Sequence, residues 1–383
     1  MTGQAELLQL LRRAPVTADQ RRIDVTDAAP VRLRGKSTIP DASSSTREHQ
    51  KSAVDTSKLL SRSSFPPPRG ACVQSEPVSN SVATWCSNMQ RAVTFYSEGV
   101  KLTGDFYLPD GLRPGERRAG IVLCHGYTGV KDLYLPDNAR ALNDAGYVVL
   151  TFDYKGWGAS EGPRSRLAPY SRVADVQAAL TYLGLQSHVD PDRLGIYGTS
   201  YGGATVVWVG AIDPRVKCVV SVVGIGDGRR WMRSVRRPDE WHDLLDRAKA
   251  DREKRVLDGQ SAMADRSQVL LPDRQSAGLA AAARRANPAA VNELPLEFID
   301  DTLGFHPEWV VDKIAPRPIL FITTDDDRLV PPEESEALFA KAGQPKKLVV
   351  LRGFGHYEVY AEPAFGQVMS ATIAWLRTHL PST

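Results

Sequence analysis

Apolar and polar positions run along this chain in two rhythms. Val93–Tyr96 and Leu102–Leu108 read as two strands around a glycine-containing turn, Ser97-Glu98-Gly99. Ile121–Cys124, Tyr147–Phe152, Leu194–Tyr197, Val216–Val223, Pro318–Ile322 and Lys347–Leu351 are short apolar runs, mostly rich in β-branched residues. Such runs mark strands buried on both faces. Between them, helical spacing covers Leu135–Ala145, closed by Gly146, and Tyr170–Leu183, Glu333–Ala342 and Ala364–Leu380. Strands alternating with helices predict an α/β fold, a mostly parallel, doubly wound sheet with helices on both faces.

Two stretches break the rhythm. Residues 1–88 are rich in Ser, Thr, Arg and Pro, with Ser43-Ser44-Ser45 and Pro66-Pro67-Pro68. Such a stretch buries too little apolar surface to offset its ordering entropy, and it reads as a flexible, disordered N-terminal extension. Leu7–Leu11 is the one run there with the character of a short helix. Residues 224–310 carry Trp231, Trp241, a charged helix from Asp239 to Asp258, the Ala-rich Leu279–Ala286, and then Phe298, Phe305 and Trp309. They read as a mainly helical cap inserted between two parts of the α/β core, 89–223 and 311–383.

Composition narrows the function classes. A net charge of +3 over 383 residues gives no electrostatic reason to expect nucleic acid or a membrane as partner. No apolar stretch approaches the roughly 18–20 residues that span a bilayer, and Leu7–Leu11 lacks the flanks of a secretory signal. Cys72, Cys86, Cys124 and Cys218 have no zinc-like spacing, and Cys124 and Cys218 lie in apolar runs as buried thiols would. The expectation is a cytoplasmic protein with no metal and no cofactor, acting on a small molecule; a homodimer is left open.

The chemistry centres on Gly198-Thr199-Ser200-Tyr201-Gly202, between a strand-like and a helix-like run. Glycines on both sides allow a sharp strand-to-helix turn that lifts the serine hydroxyl and frees the Tyr201 N–H at a helix start. With 30 glycines in the chain, chance alone produces such a match roughly 0.2 times, and Gly158-Ala159-Ser160-Glu161-Gly162 is a second one. Ser160 follows a loop and runs into Pro163, with no helix pattern behind it, so Ser200 is the candidate nucleophile and Ser160 a loop residue. A serine needs a base and an orienting acid, expected after later strands in the order acid, then histidine. His356 follows the strand ending at Leu351, and Asp325, Asp326 and Asp327 follow the strand ending at Ile322. Position alone leaves the choice among the three aspartates open.

Four ordered segments, His125-Gly126, Phe152-Asp153-Tyr154-Lys155-Gly156-Trp157-Gly158, Gly198–Gly202, and Asp327-Arg328-Leu329-Val330-Pro331 followed by Gly355-His356, together resemble the α/β-hydrolase superfamily over roughly Ala92–Leu380. The resemblance extends to its acyl esterase and Xaa-Pro dipeptidyl-peptidase-like branch. It implies a serine hydrolase of carboxylic esters or related acyl bonds that forms an acyl-enzyme. It selects Asp327, four residues before the proline, ahead of Asp326 and then Asp325. It places the oxyanion hole at the backbone N–H groups of Tyr127 and Tyr201, gives His125 a loop-shaping role and makes Asp153 structural. Trp231, Phe298 and Trp309 of the cap are the candidate pocket residues. The same three residues would also serve a carbon–carbon bond hydrolase or an acyltransferase of aromatic or polyketide metabolism, and some receptors share the fold. Dehalogenases and epoxide hydrolases of the superfamily carry aspartate where Ser200 stands.

Overall fold

In a computed structural model, which describes residues 23–26, 89–271, 277 and 293–383, the apolar runs become strands of one nine-stranded sheet. In chain order the strands are β1 (Ile23–Thr26), β2 (Met89–Ser97), β3 (Val100–Leu108), β4 (Arg118–Cys124), β5 (Val148–Phe152), β6 (Val189–Thr199) and β7 (Val216–Val222). Then come β8 (Met263–Asp265), β9 (Glu293–Pro295), β10 (Ile319–Thr324) and β11 (Lys346–Leu351). The sheet order is β1-β11-β10-β7-β6-β4-β5-β3-β2. From β11 to β5 every neighbouring pair is parallel, while β3 and β2 continue the sheet antiparallel at one edge.

The parallel strands are apolar throughout because helices cover both faces. Every residue of β5 and β10 is buried. Helices α1 (Leu135–Asp144) and α2 (Pro169–Gly184) follow β4 and β5, and α3 (Tyr201–Ile212) follows β6. Each fully buried Val, Leu or Ile contributes about 1.5–3 kcal/mol relative to exposure, so this two-sided core dominates the stability of the fold. One consequence matters for function. All the parallel strands end on the same side, so the loops after β4, β6, β10 and β11 gather along one edge, where α/β sheets hold their ligands.

The segment between β7 and β10 carries α4 (Gly228–Ser234), α5 (Pro238–Asp258), α6 (Arg266–Val269) and α7 (Glu297–Leu303), with β8 and β9 paired antiparallel as a small separate sheet. The helices match the composition; the two-stranded pair is too short to leave a period-2 signal. The Ala-rich Leu279–Ala286 lies outside the described residues. After β10, α8 (Glu333–Lys341) leads to β11, and α9 (Ala364–His379) closes the chain.

Of the N-terminal stretch, the described part is β1, whose backbone pairs antiparallel with β11, Ile23 opposite Leu351 and Thr26 opposite Leu348. Within the stretch 1–88, the four residues Ile23-Asp24-Val25-Thr26 thus add to a sheet edge. Run Leu7–Leu11 lies outside the described residues. No helix among the described residues is long and apolar enough to cross a membrane.

Candidate active site

Ser200 stands between β6 and α3 with φ 55° and ψ −121°, a backbone conformation that L-residues rarely adopt. Such a conformation costs on the order of 1–3 kcal/mol and persists only where the surroundings enforce it. Here the Ser200 N–H donates to the Val222 carbonyl at 2.8 Å, and the Ser200 carbonyl accepts from the Ala204 N–H at 3.3 Å. The flanking glycines are required by packing. A Cβ at Gly202 would collide with the Cys124 carbonyl oxygen, and one at Gly198 with the Gly202 carbonyl. The serine is thereby held above the strand ends with 8% of its surface exposed.

From the loop after β11, His356 brings its Nε2 to 3.1 Å from Ser200 Oγ. Its Nδ1 lies 2.6 Å from Asp327 Oδ2. Both His356 and Asp327 are buried. Asp327 Oδ1 accepts the N–H groups of Leu329 (2.9 Å) and Val330 (2.7 Å), so the carboxylate is held at both oxygens. Its neighbours turn elsewhere: Asp326 pairs with Arg328 at the surface, 2.8 Å apart, and Asp325 accepts the Gly353 N–H at 2.6 Å. Of the three aspartates, Asp327 is the one bonded to His356.

On the other side of Ser200 runs the loop after β4. A Cβ on Gly126 would lie 3.1 Å from Ser200 Cβ and 3.6 Å from its Oγ, so the backbone of this loop is directly against the hydroxyl. Tyr127 follows Gly126, and Tyr201 follows Ser200 at the start of α3. The two residues named from the sequence are thus chain neighbours of Ser200 itself and of the glycine packed against it. His125 is buried, and its Nδ1 lies 3.0 Å from the Gly126 carbonyl oxygen. Burial, with the nearby Arg172 charge, holds its pKa well below the ordinary histidine value. A neutral ring committed to its own loop is no base for Ser200.

The second Gly-x-Ser-x-Gly match is a different object. Ser160 is buried, and its hydroxyl donates to the Asp153 carbonyl (2.6 Å) while accepting the Thr103 N–H (2.9 Å). Asp153 accepts the N–H of Lys131 at 2.7 Å and that of Ala159 at 3.1 Å, tying two loops together.

Aromatic residues from the inserted segment pack around the two tyrosines. Phe298 meets Tyr127 edge-on at 4.6 Å between ring centres, and Phe305 stacks with Tyr201 at 5.9 Å. Trp231 is buried against Tyr201 at 6.4 Å. Trp309 departs from the expectation of a pocket residue: it is 64% exposed and stacks on His306 at 3.9 Å, because the short turn Pro307–Trp309 points it outward. Among the described residues no cluster of His, Cys, Asp and Glu is arranged to hold a metal ion.

Sequence reasoning passed over Arg172, a buried guanidinium beneath the Gly126 loop. Its signal was available, since Arg172 and Asp175 interrupt the buried face of α2 formed by Val173, Val176, Ala179 and Leu180.

Residues 115–364 match the family model described as serine aminopeptidase, S33. The chain belongs to this family of α/β hydrolases. It is 31% identical over 285 residues to an uncharacterized 31.7 kDa protein of the traX-finO intergenic region of Escherichia coli, covering 74% of this chain and 97% of that one. It is 25% identical over 297 residues to thiohydrolase aneE of Aspergillus aculeatus, covering 73% and 90%. Among solved structures, the hypothetical protein PA2218 from Pseudomonas aeruginosa superposes with a TM-score of 0.65 at 25% identity, covering 76% of this S33-family chain and 95% of that one.

Proposed function

We propose that this α/β hydrolase cleaves a carboxylic ester or related acyl bond of a small molecule through an acyl-enzyme on Ser200. The observation that carries the reading is the continuous line from Ser200 Oγ through His356 (3.1 Å) to Asp327 (2.6 Å). His356 Nε2 takes the Ser200 proton as Oγ attacks the acyl carbon, and Asp327 holds the ring with its proton on Nδ1 and balances the imidazolium. The tetrahedral oxyanion lies between the N–H groups of Tyr127 and Tyr201, each contributing on the order of 3 kcal/mol to the transition state. His356 then passes the proton to the leaving group, and water repeats the sequence to release the acid. The inserted segment caps the site, with Phe298 and Trp231 on its inner side.

The kinship with a protein named thiohydrolase favours a thioester among the acyl bonds to try first. A thioester needs no additional residue here, since thiolate is a better leaving group than alkoxide.

The test is intact mass after incubation with a fluorophosphonate, on wild type and Ser200→Ala in parallel, followed by turnover of matched p-nitrophenyl ester and acyl thioester substrates. One adduct on wild type, lost in the variant, is expected. A wild type that stays unlabelled and turns over neither substrate would overturn the hydrolase reading in favour of a ligand-binding protein.

A further inference from the structure

We infer that Arg172 is a positioning residue for acyl transfer, aiming the Tyr127 N–H at the oxyanion by anchoring the loop after β4; the inference rests on the hydrolase reading above. Arg172 sits in the first turn of α2 and is buried. Its Nη2 donates to the Gly126 carbonyl at 3.2 Å, and its Nη1 reaches the His125 carbonyl at 3.5 Å. The guanidinium lies over the Tyr154 ring, 4.1 Å from its centre, and 5.6 Å from the centre of the Tyr201 ring.

No ion pair to Arg172 is formed among the described residues, and its Nε has no hydrogen-bond partner there. A buried charge without a carboxylate at contact distance is costly. Two aromatic faces and two carbonyl dipoles offset part of that cost. Simple packing would be served better by an apolar side chain, so the residue calls for a role that only a planar, multi-donor cation fills.

That role follows from one peptide unit. The Gly126–Tyr127 bond is trans, so the Gly126 carbonyl and the Tyr127 N–H point in opposite directions. Holding the carbonyl down onto Arg172 turns the N–H the opposite way. Gly126 itself is packed against Ser200, where a Cβ would come within 3.1 Å of the serine and 3.2 Å of the Thr199 carbonyl oxygen, a tight fit. The same carbonyl receives a second bond, from His125 Nδ1 at 3.0 Å, which requires the proton on Nδ1 because a carbonyl can only accept. With the Gly129 N–H also donating to it at 3.4 Å, three donors on one oxygen leave that peptide little freedom to rotate. The Tyr201 N–H needs no such device, being fixed by α3.

The experiment compares wild type, Arg172→Gln and Arg172→Lys as full-length chains. It measures melting temperature, kcat and KM on a p-nitrophenyl ester, and inhibition by a trifluoromethyl ketone, which forms a tetrahedral adduct, against inhibition by the product carboxylate. For Arg172→Gln we expect kcat to fall about 100-fold, the size of a misaligned transition-state contact, with KM within about twofold. The trifluoromethyl ketone should weaken by the same factor as kcat, and the product carboxylate should bind as before. Arg172→Lys, which keeps the charge and a donor nitrogen without the planar fork, should recover part of kcat and serves if the Gln variant does not fold. Full kcat in folded Arg172→Gln, or equal weakening of both inhibitors in either variant, overturns the positioning role while leaving the hydrolase reading intact. A wild type without turnover or labelling overturns both.

Discussion

The indole N–H of Trp231, on α4 of the inserted segment, donates to the carbonyl oxygen of Leu329 across 2.8 Å. Leu329 in turn donates its N–H to Asp327 Oδ1. One residue along α4, Arg230 grips both oxygens of Glu334 at 2.8 and 2.9 Å, where α8 begins. The loop after β10 is therefore clamped at two points by the segment between β7 and β10, and the packing of that segment and the orientation of Asp327 are one mechanical problem.

Trp231→Phe keeps a buried aromatic ring, though a smaller one, and removes the bond to Leu329. A buried carbonyl left without its donor costs about 1–3 kcal/mol, to be read as a lower midpoint in urea unfolding. Because the disturbed loop carries Asp327 rather than substrate, kcat on a p-nitrophenyl ester should drop while KM stays close to wild type.

Asp327→Asn should lower kcat on the order of 10³–10⁴-fold, since an amide holds the imidazole in the wrong tautomer and cannot balance its charge. Asp326→Asn breaks only a surface pair with Arg328, which is worth about 0–1 kcal/mol, and should leave kcat within about twofold. Comparing the two variants side by side separates the acids; equal losses would assign the role to the loop as a whole.

Ser160→Ala removes the hydroxyl that accepts the Thr103 N–H and donates to the Asp153 carbonyl. The expected penalty is about 1–3 kcal/mol of stability, with fluorophosphonate labelling of the folded protein retained. Ser200→Ala should behave in the opposite manner, losing labelling without a comparable loss of stability. Loss of labelling in a folded Ser160→Ala would contradict the assignment of the two serines.

Burial pushes the Asp301 carboxyl up to about 6, with Arg166 opposing the shift and Glu297 adding to it. A folded-state pKa above the unfolded value means that the folded protein holds the proton more tightly. Its contribution to stability is then full below about pH 4 and is lost as pH rises through about 6. Asp301→Asn should accordingly stabilise the protein by about 1–2 kcal/mol at pH 8 and have little effect at pH 4. Thermal unfolding at the two pH values checks this, and an equal effect at both would show that burial does not raise the group.

Much of the fold was legible in the chain because two-sided burial of parallel strands demands apolar runs, and β4, β5, β6, β7, β10 and β11 each carry one. The helices between them show their periodicity for the same reason. The pair β8 and β9 and the edge strand β1 were not legible, since three or four residues carry too little pattern to rise above loop sequence. At the site, the strand before and the helix after singled out Ser200 from the second match at Ser160, and the place after a late strand singled out His356; the glycines around Ser200 follow from a clash that any side chain would make with Cys124 or Gly202.

What the sequence determined by itself is local: which segments form strands and helices, where the chain turns sharply, and which residue types are available after each turn. The rest belongs to tertiary structure. Position alone left Asp325, Asp326 and Asp327 open, and only the resemblance of Asp327–Pro331 to a family segment favoured Asp327; it is the path of the loop after β10, held by Trp231 from far along the chain, that brings Asp327 onto His356. Trp231 and Trp309 are likewise equal in composition, yet one is buried and bonded to Leu329 while the other stands 64% exposed. Arg172 reads as an interruption of an apolar helix face until the fold places the Gly126 carbonyl above it. The physical reason is common to all three. Burial and hydrogen-bond partners are set by segments distant in sequence, so a local pattern can name the groups that carry the chemistry but not the groups that aim them.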